Sequence, residues 1–341
     1  MSVFITLRKL FINVVLLIIL MISIPGCEKA LQLKNPLTTA DAVFDDLWQA
    51  LDKNYALFSI KGIDWDSVYV ANKLNFNGSL NSSQLFTALI KPLEVLKDGH
   101  VTLISPGNIY TYENFHTAYL GNFNLNNVKK NYLKSTYKEV GPVIYKADDD
   151  IGYLYYASFA QDISDAEMEN VFAAMSSTKG LIIDVRNNSG GKSSNVERLF
   201  GRFLNTKKLV RYEMKKKGPG HNDFYDKEPV YLLPVGKFYN KPMVLLTNRS
   251  CFSACNDFAL YMSYLPNVTI VGDQTGGGGS IPANYLLVNG WKLQYSSTVT
   301  LSPDHLPVEN GIQPDVVEQI TPIQEINGKD PILERAIKIL Q

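Results

Sequence analysis

Gly180-Leu-Ile-Ile-Asp-Val-Arg-Asn-Asn-Ser-Gly-Gly191 is the stretch on which the fold turns. Its first half is a short apolar run, Leu181–Val185, with no alternation of polar residues. A strand of this kind is buried on both faces, as in a parallel sheet covered by helices. Its second half, Asn188-Ser-Gly-Gly191, is a glycine turn at the strand's carboxyl end. Such a turn exposes backbone N–H groups, although a tight strand-to-helix connection would use the same residues.

The texture continues on both sides. Gly152 to Tyr156 is strand-like, Asp165 to Met175 helical and Asn195 to Leu204 helical. Met243 to Leu246 reads as a strand, Ser253 to Tyr264 as a helix and Val268 to Val271 as a strand. Residues 285–301 read as a hairpin or paired strands, and Pro331 to Leu340 as a closing helix. Strands alternating with helices through short loops predict an α/β core with a mainly parallel sheet over residues 151–341. Residues 38–105 read as a small helical subdomain. Thr38 with Asp41 marks a helix start, and Phe44, Leu47, Trp48, Leu51 and Tyr55 recur at helical spacing. A second helix begins at Ile63-Asp-Trp-Asp66. A third, Ser82 to Leu96, contains Pro92, which is expected to kink or divide it. Val101 to Ile104 reads as a strand. Residues 106–150 form a polar connecting segment, and Lys215 to Glu228 an exposed loop.

Three separated places carry chemistry. Ser253 follows the polar turn Asn248-Arg-Ser250 and opens an apolar helix. A serine there is an ordinary N-cap. It also suits a nucleophile, because the helix dipole favours developing negative charge and the Ala254 N–H can face an oxyanion. Gly190 and Gly191 offer further N–H groups. His100, after Asp98-Gly99 at a helix-to-strand turn, is a candidate base. His116, His221 and His305 have no comparable neighbourhood. Histidine, N–H loop and serine are the three parts of an acyl-transfer site. Cys251 and Cys255 are too few for a disulfide framework and read as small buried residues.

With 341 residues and 45% of them apolar, the chain can bury a substantial core. Lys+Arg and Asp+Glu both number 33, and this neutral balance without a basic block argues against a nucleic-acid partner. Arg8 and Lys9 precede an apolar run from Leu10 to Ile22, and Ile24-Pro-Gly26 precedes Cys27. Residues 1–26 are therefore expected to be a secretory signal. A small residue directly before a cysteine resembles a bacterial lipobox, which would make Cys27 a lipidated mature N-terminus and residues 27–37 a tether. The expected location is extracytoplasmic, lipid-anchored to the cell or outer membrane and facing the periplasm or the cell surface.

The motifs together resemble the S41 serine peptidases, the tail-specific or C-terminal processing proteases and their tricorn-core relatives. The resemblance rests on Leu96-Lys-Asp-Gly-His100, Gly180 to Gly191 and Ser250-Cys-Phe-Ser-Ala254. It continues through Gly62-Ile-Asp-Trp65, Ile151 to Leu154, Gly272-Asp-Gln-Thr-Gly276, Glu309 to Asp315 and Asp330 to Glu334. It implies a ClpP/crotonase-like core over residues 151–341 and a peptidase needing neither metal nor cofactor. Ser253 matches the nucleophile, and the N–H groups of Ala254 with Gly190 or Gly191 match the oxyanion hole. Processing proteases take a lysine from a glycine-rich segment as base. Here that segment is Thr275 to Ser280, and Gly278 stands in the lysine's place. Tricorn-like members use a histidine, and His100 fits. Glu309 resembles their supporting glutamate, but Gly99 stands where they carry a serine, and Asp98 is a rival orienting carboxylate. Many relatives carry a PDZ domain, for which residues 106–150 are too short. The Gly276–Gly279 run is expected to let a substrate backbone approach closely. The implied function is cleavage of peptides or proteins in the cell envelope. A weakly catalytic peptide- or ligand-binding module and an acyl-CoA enzyme on the same fold are the alternatives, the latter disfavoured by the export signal.

Overall fold

The computed structural model describes residues 38–147 and 150–341. The secretory-signal, lipidation and tether expectations over residues 1–37, Cys27 among them, lie outside the described residues.

The helical region contains α1 (Ala40–Asn54), α2 (Phe58–Lys61), α3 (Trp65–Asn72) and α4 (Ser82–Glu94). Thr39, one residue later than expected, caps α1 by accepting from the Ala42 N–H at 3.2 Å. Asn81 and Gln84 form a capping box on α4, which runs through the buried Pro92 without dividing. These helices do not close a core alone. Phe44, Leu47, Leu51, Phe58, Trp65, Leu89 and Leu93 pack with Leu293 and Tyr295 from the far end of the chain. Those two residues lie on a four-stranded antiparallel sheet. It joins β1 (Thr102–Ser105) and β2 (Asn108–Thr111) to a later hairpin, β11 (Pro282–Leu286) and β12 (Lys292–Ser296).

The main sheet begins with an antiparallel edge, β3 (Lys138–Val140) and β4 (Val143–Lys146), followed by β5 (Ile151–Tyr156). After α5 (Asp165–Ala174) come β6 (Gly180–Asp184) and α6 (Ser193–Phe200). β7 (Lys208–Lys215) and β8 (Glu228–Leu232) form a small separate sheet with β13 (Thr298–Leu301). The expected loop from Lys215 to Glu228 therefore has strand residues at both ends, held by a Lys215–Glu228 ion pair of 3.1 Å. β9 (Met243–Thr247), α7 (Ala254–Ser263), β10 (Val268–Gly272), the short β14 (Val316–Val317) and α8 (Pro331–Leu340) complete the core. The seven-stranded order is β14-β10-β9-β6-β5-β4-β3, and β14, β10, β9, β6 and β5 run parallel. The chain is thus an α/β protein with a mainly parallel sheet, preceded by a helical region.

The unbroken apolar run of β6 now has its cause. Leu181 and Ile183 face one cluster with Phe172, Leu199 and Phe258, whereas Ile182 faces the opposite cluster with Ile332, Leu333 and Ala336 of α8. Just past β6 lies a buried charge network. Asp184 grips Arg186 through Oδ2 at 2.6 Å, and Asp330, the N-cap of α8, binds the same guanidinium at 2.9 Å. Tyr153 donates to Asp184 at 2.8 Å, and Phe123 lies over the guanidinium at 4.7 Å. This network ties the loop after β6 to the start of α8. Removing one partner of a buried ion pair strands the remaining charge in a low-dielectric interior. Asp330→Ala is therefore expected to lower urea-unfolding stability by about 3–5 kcal/mol, whereas Asp150→Ala, which cuts only an exposed pair with Lys179, leaves the unfolding midpoint in place.

Candidate active site

The loops after β6 and β9 lie at the carboxyl ends of parallel strands, the usual place for a site in an open α/β sheet. They are stitched together by asparagines. Asn248 Oδ1 accepts from the Asn187 N–H at 3.0 Å, and Asn248 Nδ2 donates to Asn187 Oδ1 and to the Gly121 carbonyl, both at 2.7 Å. Asn188 Oδ1 accepts from Gly190 N–H at 2.9 Å, and its Nδ2 donates to the Tyr156 carbonyl at 2.9 Å.

Ser253 stands at the N-cap of α7 but does not cap it. Its backbone takes φ +56° and ψ −124°, a conformation that costs a non-glycine residue about 1–3 kcal/mol. Its N–H donates to the Gly277 carbonyl at 2.9 Å, and the preceding Phe252 N–H to the Asn188 carbonyl at 3.3 Å. The turn sends Oγ away from the helix end to within 3.0 Å of His100 Nε2. A serine and a histidine 153 positions apart thus meet at hydrogen-bond distance. For Nε2 to accept the serine proton, the ring must carry its own proton on Nδ1.

Gly190, Gly191 and Ala254 were the expected N–H donors. Gly190 has its N–H taken by the Asn188 side chain. Its contribution is proximity: a Cβ there would lie 2.5 Å from the Phe252 carbonyl oxygen and 2.8 Å from Ala254 N. Gly191, at φ +136°, presses against the Phe159–Ala160 backbone, where a Cβ would fall 2.1 Å from Ala160 N. Ala254, at the first position of α7, directly follows the serine, and Gly191 directly follows the glycine packed against it.

Behind His100 the structure places a buried cluster. Asp98 accepts the His100 N–H at 2.8 Å through Oδ1 and the Tyr55 hydroxyl at 3.0 Å through Oδ2. Its carboxylate therefore shapes the backbone turn, and it does not hold the ring. Glu309 is buried, not a surface residue, and pairs with Lys61 Nζ at 3.3 Å. Lys61 also donates to the Lys97 carbonyl at 3.1 Å. Neither carboxylate makes a direct hydrogen bond to the imidazole; His100 Nδ1 and Glu309 Oε2 are both buried without a hydrogen-bond partner in the protein. Burial lowers the His100 pKa, the Asp98 charge opposes that shift and the Lys61 charge adds to it. Burial and the neighbouring Asp98 charge push Glu309 up to about 8, against the pull of Lys61. Burial, then Asp98 and Glu309, holds Tyr55 well above its ordinary value.

At the glycine run the structure shows close approach by the protein's own backbone. A Cβ on Gly277 would lie 1.9 Å from the Glu309 carbonyl oxygen, and one on Gly276 would lie 2.3 Å from the Arg249 carbonyl oxygen. These glycines admit the protein's own backbone, letting the run thread between the nucleophile turn and the Glu309 loop. Cys251 and Cys255 are free and buried, with the Cys251 thiol donating to the Val185 carbonyl at 3.0 Å. Lys61, Tyr55 and Phe252 were not legible as site residues, nor was the side chain of Asn188, although its turn was. Each acts through a contact with a distant segment, and of the first three only the position of Phe252, directly before the serine, carried any local signal.

Residues 150–318 match the model of peptidase family S41. The solved structure of a candidate peptidase from Parabacteroides merdae is 40% identical, covers 89% of this chain and 97% of that one, and superposes with a TM-score of 0.85. The carboxy-terminal-processing protease of Bartonella bacilliformis is 28% identical over 57% of this chain and 45% of its own length. The tricorn protease of Thermoplasma volcanium is 28% identical over 51% of this chain and 16% of its own. The matched region thus spans less than half the length of these two named relatives. The family match lies across the glycine turn, the strained serine and the Glu309 loop, and with the near-full-length likeness to a solved relative it makes this chain a member of peptidase family S41.

Proposed function

We propose that the protein is a serine endopeptidase of the cell envelope, with Ser253 as nucleophile and His100 as general base on a ClpP/crotonase-like core. The observation that carries this reading is the 3.0 Å contact between His100 Nε2 and an Oγ held by a strained turn. His100 takes the Ser253 proton as Oγ attacks a peptide carbonyl. The Gly191 and Ala254 N–H groups receive the oxyanion, and His100 returns the proton to the leaving amine. Water, activated by the same imidazole, then releases the acyl-enzyme. Glu309 acts at one remove, through the electrostatics of the pocket behind the ring. The names of the relatives, a carboxy-terminal-processing and a tricorn protease, support proteolysis as the activity class. Cys27 as a lipid anchor and the extracytoplasmic location rest on the sequence of residues 1–27.

A fluorophosphonate probe tests the nucleophile. The wild-type chain is expected to label at Ser253, Ser253→Ala to lose labelling entirely, and His100→Ala to label about 10²–10⁴-fold more slowly. An unlabelled wild-type protein would favour the peptide-binding alternative. Because the base acts when neutral and its pKa is depressed, the labelling rate should reach half its maximum below pH 6.5.

Glu309 makes a separate prediction about stability. A carboxyl whose folded pKa is raised binds its proton more tightly in the native state, so its contribution is fully present below its unfolded value of 4.5. That contribution is lost as pH rises toward about 8. Glu309→Gln should therefore gain in melting temperature relative to the wild type as pH is raised through this window, read by calorimetry. For the anchor, Cys27→Ala in the full chain should move the protein from the detergent phase to the aqueous phase on Triton X-114 partition.

A further inference from the structure

We propose that Phe252 is the positioning residue that makes His100 the base, because its ring fills the space that a side chain at either residue 99 or residue 278 would occupy. The inference rests on the peptidase reading above. A Cβ on Gly99 would lie 2.8 Å from Phe252 Cζ and 3.1 Å from its Cε2. A Cβ on Gly278 would lie 2.3 Å from Cε2, 2.4 Å from Cζ and 2.9 Å from Cδ2. One edge of one ring therefore abuts both glycines. By the resemblance to S41 peptidases drawn from the sequence, these are the positions where a serine before the histidine or a lysine downstream of the nucleophile would stand.

The ring cannot swing clear. Its own backbone is pinned on both sides, by the Phe252 N–H to the Asn188 carbonyl and by a bridge to Gly277. Its outer face stacks on Phe115, centroids 4.4 Å apart at 26°. Phe115 Cε1 itself would lie 2.6 Å from a Cβ on Gly99, so the aromatic pair closes that side together. The imidazole of His100 meets Phe252 at 4.7 Å between centroids, tilted by 54°. Phe252 thus dries and braces the imidazole on one side while the serine hydroxyl holds Nε2. The charged and titratable groups around the ring are Asp98 in its own turn, Lys61 from α2, and Glu309 and Tyr55 behind. None of them lies on the turn that carries Phe252, so the variant below removes the ring and leaves those groups in place.

The test is a double-mutant cycle between Phe252→Ala and Gly278→Ala in the full chain, read by the rate of fluorophosphonate labelling across pH and by melting temperature. Phe252→Ala should slow labelling at least about tenfold and move its half-maximal pH upward, toward the ordinary imidazole value. A merely structural role would lower the melting temperature without moving that pH. Gly278→Ala should slow labelling strongly in the wild-type background and by clearly less in the Phe252→Ala background, where the ring it collides with is gone and only the strain of its φ of +74° remains. Wild-type labelling with additive effects, or with an unmoved half-maximal pH in Phe252→Ala, overturns the inference while leaving the peptidase reading intact. No labelling of the wild-type chain overturns the peptidase reading and, with it, the role of Phe252. In that case the melting-temperature cycle decides only whether residues 252 and 278 compete for space.

Discussion

The left-handed backbone of Ser253 is the constraint on which the rest of the site depends. An ordinary N-cap serine turns its hydroxyl back onto its own helix. At φ +56° this one cannot, and Oγ is presented to His100 instead. Such a conformation persists only where its surroundings over-determine it. Here the surroundings are a set of backbone hydrogen bonds: Cys251 to Asn248, Phe252 to Asn188, Ser253 to Gly277 and Cys255 to Phe252. The first and last close the turn on itself, and the other two end on loops that something else has already fixed. The Asn188 loop is held by Arg186 and its two aspartates, and the Gly277 loop by Glu309 and Thr275. Strain at one residue is thus offset by order in three segments.

The same logic explains how a helical region and a sheet of opposite sequence ends share one function. His100 follows α4, whose apolar face packs with the β11–β12 hairpin. His100 itself is tied to that hairpin by Gln294, whose amide donates to its carbonyl at 3.3 Å. The histidine is placed by one core and the serine by another. The Phe115–Phe252 stack and the Lys61–Glu309 pair are where the two meet. The second contact is electrostatically demanding: a buried glutamate beside a buried aspartate is compensated by a single lysine, which is why the glutamate holds its proton so far above its ordinary range.

Much of this was legible in the chain itself. The unalternating run Leu181–Val185 announced a strand buried on both faces, and β6 is that strand. The serine at a strand-to-helix turn and the histidine at a helix-to-strand turn were visible as positions, since both depend on local punctuation. What depended on distant contacts was not visible. β7 carries Arg211 and Lys215, whose charges are paired with Asp257 of α7 and with Glu228 of the neighbouring β8. The glycine run reads as a place of close backbone approach, and the structure shows Glu309 and Arg249 of the same chain against it. Gly190 looked equivalent to Gly191 until the Asn188 side chain claimed its N–H. A glycine pair in a sequence states that something comes close, and only the fold says what.

In the proposed mechanism the Ser253 turn, the Gly191 and Ala254 N–H groups and His100 form one acyl-transfer site. The crystal structure of the fluorophosphonate adduct tests it most directly. Phosphorus is expected on Ser253 Oγ, with a phosphonyl oxygen within hydrogen-bond distance of both the Gly191 and Ala254 nitrogens and His100 Nε2 beside the leaving position. Phosphorus on another residue, or an adduct oxygen turned to solvent with those N–H groups unengaged, would contradict it.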